Sequence, residues 1–220
     1  MPHMTEIAVD VAPAAKPHRQ RQRAADRTDA VFGLPAAMPL VLDLDGTLIA
    51  GDLLYKSFFS ILRKNPLIVF GCATWLMRGR AALKRQLALR NRIDWDRIKL
   101  HQDVVALAIR EKAAGRGVVL ATAADAVLAG QLASRLPFID QVYASDGERN
   151  LKGSAKAELL TRMYPGGFIY AGDSKSDLAV WAQASGIVLV NARGAVSAAA
   201  RVLGKPIVEM SGRIGPVSAL

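Results

Sequence analysis

The stretch Val41-Leu42-Asp43-Leu44-Asp45-Gly46-Thr47-Leu48 constrains this chain more than any other. Leu40, Val41 and Leu42 read as a short buried parallel strand, ended by two carboxylates with a glycine turn behind them. Side chains alternate faces along a strand, so Asp43 and Asp45 point the same way. In an open α/β sheet ligands collect at the carboxyl ends of the strands, where this pair would sit. Two like charges in a partly dry site repel strongly unless a cation neutralises them or one holds a proton. A solvated Asp-Gly hairpin turn is the other reading. The polar strand ends further along the chain weigh against it.

From residue 117 onward strand and helix signals alternate. Residues 117–122 form a second buried strand ended by Thr122, and Asp125 caps a helix to Leu136. A short strand over 139–144, the turn Asp146-Gly147, and a helix over 154–164 broken by Pro165-Gly166-Gly167 follow. The strand 168–171 ends in Gly172-Asp173-Ser174-Lys175-Ser176-Asp177, and a helix runs on to Ala184. A strand over 186–190, a helix over 195–203 and a strand over 206–208 complete the pattern. Such alternation implies an α/β fold with a Rossmann-like parallel sheet. It brings Asp43, Asp45, Thr122, Asp173, Asp177 and, more weakly, Asn191 to one crevice, with Lys152 and Lys156 at the entry of a helix beside it. A carboxylate cluster with a glycine turn suits a hard cation such as Mg²⁺ with room left for a phosphate. A lysine and a hydroxyl supply charge and a donor to phosphoryl oxygens. One aspartate can act as nucleophile while a second carboxyl moves the proton, which is the equipment of phosphoryl transfer through a covalent intermediate.

Residues 51–115 read differently, as helices only: 52–62, a second from Pro66 through Met77, a basic third over 81–92, and a long fourth with Asp94 as N-cap and Gly115 as stop. This is an all-helical insert between the first strand and the rest of the sheet. The net charge of +10 is concentrated here, with 13 cations against 5 anions between residues 51 and 112. It calls for an anionic partner, either a phosphorylated substrate or an acidic membrane surface. Nucleic acid is not expected, because the basic segment has no recognisable reading motif. Residues 1–35, rich in Ala, Pro, Gln and Arg without a sustained period, read as a disordered arm, and 211–220 as a tail. The sole cysteine, Cys72, excludes an internal disulfide. No signal peptide is evident. The apolar run 67–77 is about half of the ~20 residues a spanning helix needs. The expectation is a cytoplasmic chain, with the inner face of the membrane as a surface it can meet.

In order, Asp43-Leu44-Asp45-Gly46-Thr47-Leu48, the strand-ending Thr122, the lysine at a helix start and Gly172-Asp173-Ser174-Lys175-Ser176-Asp177 resemble the four motifs of the haloacid dehalogenase (HAD) phosphatase superfamily. The resemblance runs from Pro39 to about Val208. It implies a catalytic core over 36–50 and 116–210 with a helical cap of the C1 type over 51–115. It makes Asp43 the nucleophile and Asp45 the acid/base, with Thr122 and Lys156 holding the phosphate. Asp173 would bind Mg²⁺ beside Asp43 and the Asp45 carbonyl, supported by Asp177. Gly46, Thr47, Ala123, Lys152 and Asp52 fall on the substrate side. Lys152 and Lys156 both fit the third motif. Lys156 is favoured because Ala157-Glu158-Leu159-Leu160 continues a helix directly from it. Asp52 stands where serine-phosphate members carry a group for the substrate amine, and an ordinary N-cap explains it equally well. The finer pattern, including Arg63-Lys64-Asn65-Pro66-Leu67 and Ala121-Thr122-Ala123-Ala124-Asp125, is similar to the HAD domain found ahead of UbiA-type polyprenyl transferases. That similarity implies a phosphorylated polyprenyl-linked sugar, such as a polyprenyl-phosphate phosphoribose, as substrate. A small-metabolite phosphatase of the phosphoserine type and a non-catalytic module regulating a membrane prenyltransferase are the competing readings.

Overall fold

The computed structural model describes residues 33–52, 61–63, 67–90 and 93–216. Its strands are β1 (Leu40–Leu42), β2 (Lys99–His101), β3 (Val118–Asp125), β4 (Gln141–Ser145), β5 (Ile169–Gly172), β6 (Gly186–Val190), β7 (Ile207–Met210) and β8 (Ile214–Pro216). Its helices are α1 (Ile68–Met77), α2 (Arg80–Arg90), α3 (Gln102–Ala113), α4 (Ala126–Ala133), α5 (Ser154–Met163), α6 (Leu178–Trp181) and α7 (Ala195–Val202). Six strands form one parallel sheet in the order β4-β3-β1-β5-β6-β7, as the strand–helix alternation demands. From β1 the chain builds outward to β3 and β4, then returns to lay β5 on the other side of β1. Strand order therefore reverses at β1, which opens a crevice above its carboxyl end.

The two-residue period of the strands sorts the core into two halves. Leu40, Leu42, Leu120, Ile169 and Val188 face one side, where α3 contributes Val104, Leu107 and Ala108 and α4 contributes Leu128 and Leu132. Val41, Val119, Tyr170, Ile187 and Leu189 face the other, against Ala157 and Leu160 of α5, Trp181 of α6 and Ala200 of α7. A separate small cluster, Ile61, Ile68 and Leu87 with Trp75 and Leu83 against them, joins α1 to α2. Arg116, fully buried with Glu111, donates to the carbonyls of Leu34, Pro35 and Met38 and pins the chain entering β1. Residues 34 and 35 thus pack onto the sheet domain, while residues 1–32 of the expected arm and most of the helix over 52–62 lie outside the described residues.

Two expectations fail. β3 runs on to Asp125, three residues past its expected end at Thr122. The long fourth helix from Asp94 does not form: Asp94 precedes a single 3₁₀ turn, Trp95–Arg97, then β2, and α3 begins only at Gln102. β2 pairs antiparallel with β8, inside the stretch expected to be a tail, and Leu100 bridges to Ile49 of the turn after β1. Trp95 and Ile98 have helical spacing, but with Leu100 they are buried in the main core, and tertiary pairing overrides the local period. A three-residue strand is too short to show a period of its own.

Candidate active site

The site is assembled at the end of β1. The Asp43 amide donates to the Ala171 carbonyl at 3.0 Å, so the position of Asp43 is fixed by the ladder to β5. The chain then turns through Gly46, whose N–H lies 3.0 Å from the Ile49 carbonyl and 3.1 Å from that of Gly51. Gly46 has φ of +80°, and a Cβ there would stand 2.2 Å from Asp173 Oδ2. Only glycine allows both this left-handed turn and the approach of the β5 loop.

Behind Asp43 lies a buried polar chain. Lys156, in the first turn of α5 and 3% exposed, donates from Nζ to Asp43 Oδ1 at 2.6 Å and to the Tyr170 hydroxyl at 2.8 Å. That hydroxyl donates to Asp177 Oδ1 at 2.9 Å. Asp177 Oδ2 accepts from Asp173 N, Ser174 N and Ser174 Oγ at 3.2, 3.0 and 2.9 Å. Asp177 Oδ2 thus shapes the loop that carries Asp173, while Oδ1 ties that loop to Tyr170. Burial raises the Asp43 pKa, with Lys156 acting against it and Asp177 reinforcing it. Burial, then Asp177 and Asp43, push Asp173 up to about 7. Burial and the same carboxylates hold the Tyr170 phenol well above its ordinary range, so it stays a donor.

Carboxylate oxygens of Asp43, Asp173 and Asp177 lie within 4.8 Å of one another. Three carboxylates against one lysine leave an excess of negative charge in a half-dry site, and oxygen-only donors suit a hard divalent cation. Asp43 and Asp173 line the cleft, while Asp177 stands behind them with its oxygens bonded to Tyr170 and the 173–174 loop. The donor set fits such an ion.

A cleft of about 650 Å³ opens over this cluster. Of the residues expected from sequence, Asp43, Asp45, Gly46, Asp52, Ala123, Lys152, Lys156 and Asp173 line it. Both lysines thus reach the cleft, but Lys156 is the one that bonds Asp43. Two threonines stand behind the wall, each fully buried. Thr122 Oγ1 accepts from Ala124 N at 2.9 Å and braces the β3 terminus, while Thr47 Oγ1 donates to Asp173 Oδ1 at 3.4 Å.

Sequence reasoning missed the contribution of α2. Arg80 and Lys84, one helical turn apart, face the cleft with Leu83 and Leu87. Lys84 Nζ donates to the Ala123 carbonyl at 2.6 Å and to Asn150 Oδ1 at 2.8 Å, and Arg85 pairs with the buried Asp125 at 3.2 Å. The signal for these was only the charge excess of the insert, which does not say which cation turns inward. Tyr170 was hidden as one apolar residue among several in a strand.

No protein-family model matches the chain. An uncharacterized protein of Sinorhizobium fredii is 39% identical over 153 residues, or 70% of this chain, and the chain spans only 30% of that relative's length. Among solved structures, a HAD family hydrolase from Salmonella enterica superposes with a TM-score of 0.53 at 14% identity, covering 73% of this chain and 66% of the other. A phosphoserine phosphatase holding a phospho-aspartyl intermediate analogue gives 0.50 at 17% identity, covering 80% and 95%. The reversal of strand order at β1 agrees with these superpositions, and the chain has the HAD fold.

Proposed function

We propose that this chain hydrolyses phosphomonoesters with Mg²⁺ through a phosphoryl group carried on Asp43. One observation carries the reading: a buried carboxylate at the sheet's switch point, held by Lys156, shares an oxygen cluster with Asp173 on the wall of a cleft. Asp43 attacks phosphorus and the ester P–O bond breaks, the leaving oxygen taking its proton from Asp45. Asp45 then accepts a proton from water as that water attacks the same phosphorus, and the bond to Asp43 breaks to release phosphate. Lys156 keeps Asp43 oriented and ionised and offers charge to the phosphoryl oxygens. Asp43 and Asp173, with the Asp45 carbonyl, are the groups to hold Mg²⁺, which supplies positive charge against the carboxylates and the transferring phosphoryl group. The phospho-aspartyl analogue seen in the phosphoserine phosphatase is consistent with this chemistry. Phosphate release from an aryl phosphate, measured with Mg²⁺ and with EDTA, tests it. No release under either condition leaves the reading of a non-catalytic module.

For the substrate we favour a phosphorylated, polyprenyl-linked sugar met at an anionic membrane surface, with the insert as the cap over the cleft. Leu76, Leu83, Leu87 and Leu128 make part of the cleft wall apolar. Just outside, Leu67, Phe70 and Met77 are 70%, 74% and 89% exposed along one side of α1. Residues 53–93 carry nine cations and no acidic residue. An apolar stripe on a segment with this cation excess suits an acidic lipid surface on the cytoplasmic face. No helix among the described residues is long and apolar enough to cross a membrane. A membrane prenyltransferase is the protein partner this substrate implies. The serine-phosphate alternative draws on Asp52, whose place on the cleft wall suits a substrate amine. A substrate screen with isoprenoid-linked sugar phosphates and phosphoserine separates the two. Sedimentation with anionic liposomes at low salt tests the surface, and no binding there counts against it.

A further inference from the structure

We propose that His101 is a positioning residue for the turn that follows Asp43. It sits at the end of β2, 5% exposed, with Nδ1 2.7 Å from the Thr47 carbonyl. A carbonyl only accepts, so Nδ1 carries a proton, and facing the Asn191 amide N–H makes Nε2 the acceptor. Nε2 lies 3.5 Å from the Asn191 amide nitrogen, a donor, and Asn191 Oδ1 accepts from Gly212 N at 3.1 Å. Donors and acceptors therefore alternate consistently along Gly212, Asn191, His101 and Thr47.

The surroundings hold this chain tightly. Asn191, the polar end of β6, has φ of +53°, a left-handed conformation uncommon outside glycine and kept where surrounding structure requires it. A Cβ at Gly212 would stand 2.6 Å from His101 Cγ, so the segment after β7 packs directly on the ring. Along the backbone, His101 N donates to the Leu48 carbonyl at 3.0 Å and Ala50 N to the Lys99 carbonyl at 2.8 Å. Gln102 N donates to the Arg213 carbonyl at 2.7 Å, and Arg213 pairs with Asp103 at 3.1 Å. Thr47 in turn reaches Asp173 through its hydroxyl. A shift of its carbonyl would therefore move the turn bearing Asp45 and Gly46 and disturb Asp173 together. Sub-ångström placement of such groups governs the rate of a displacement.

Two measurements test the assignment. Ring-nitrogen NMR of the full chain, with the His101 signal identified by its loss in His101→Asn, is expected to give the Nδ1–H tautomer, weakened in Asn191→Ala. An Nε2–H tautomer would overturn it. Kinetically, His101→Leu lowers kcat about tenfold or more with KM changed by less than about twofold. His101→Asn, whose amide N–H stands where Nδ1–H stood, recovers most of the loss, and His101→Gln does not. Equal kcat in the Leu and Asn variants at matched melting temperature would sink the proposal. The kinetic arm rests on the proposed hydrolysis. Should the wild type hydrolyse nothing, that reading fails while the tautomer still decides this one.

Discussion

On the sheet side of the cleft, Lys156, Asp43, Tyr170 and Asp177 form one buried chain in which each polar atom is fixed by the next. On the insert side, α2 reaches the same cleft with Lys84 and Arg85, which fasten it to the Ala123 carbonyl, Asn150 and Asp125. Beyond α2, α1 packs on α2 and leaves Phe70 and Met77 open. The first wall is over-determined by burial, and the second is tethered at a few points. That difference suits a division of labour, with charge placement for chemistry in the rigid wall and selection of the leaving group in the adjustable one.

The largest effect should come from cutting the rigid wall. Lys156→Met removes the cation bonded to Asp43 and strands a buried carboxylate, which costs about 3–5 kcal/mol in a denaturant melt. It also abolishes turnover, even where Mg²⁺ or low temperature restores the folded state. A loss under about 1 kcal/mol would mean that this wall is no more constrained than the other. On the tethered wall, Lys84→Met keeps the stem but loses both bonds. We expect KM to rise about tenfold with kcat changed less than about threefold, and stability to fall by about 1 kcal/mol. A matching collapse of kcat would erase the distinction between the walls.

A smaller effect, in pH, sharpens the picture of the rigid wall. With its carboxyl raised to about 7, Asp173 in the metal-free folded chain keeps a proton that the unfolded chain has already released. This group's contribution to stability therefore falls as pH rises from the ordinary carboxylate range to about 7. Mg²⁺ takes the proton's place, so its stabilising effect grows across the same window. The rise in melting temperature on adding Mg²⁺ should be larger near pH 8 than near pH 5.5. Equal rises would show that Asp173 does not exchange its proton for the metal.

Most of the rigid wall was legible in the sequence because its acidic parts follow strands and its lysine opens a helix. The Asp43 and Asp45 pair, Asp173 and Lys156 each follow or flank an apolar run whose period declares the element, and a parallel sheet collects such ends. Tyr170 escaped because its ring belongs to the core, and only the fold turns its hydroxyl toward Lys156 and Asp177. The adjustable wall was legible as charge alone. Nothing local separates Lys84, which turns inward, from the exposed Arg78 and Arg90. β2 was invisible for a related reason, since its partners at residues 214–216 lie more than a hundred positions away. With that pairing went the setting of His101.

The central claim is that Asp43 takes the phosphoryl group. Turnover of an aryl phosphate with Mg²⁺, quenched in acid within the first cycle and followed by peptide mass spectrometry, addresses it directly. The account predicts one acid-stable, base-labile phosphoryl group on the peptide bearing Asp43, and neither that adduct nor turnover in Asp43→Asn. Phosphoryl label on another residue, or turnover undiminished in Asp43→Asn, would contradict it.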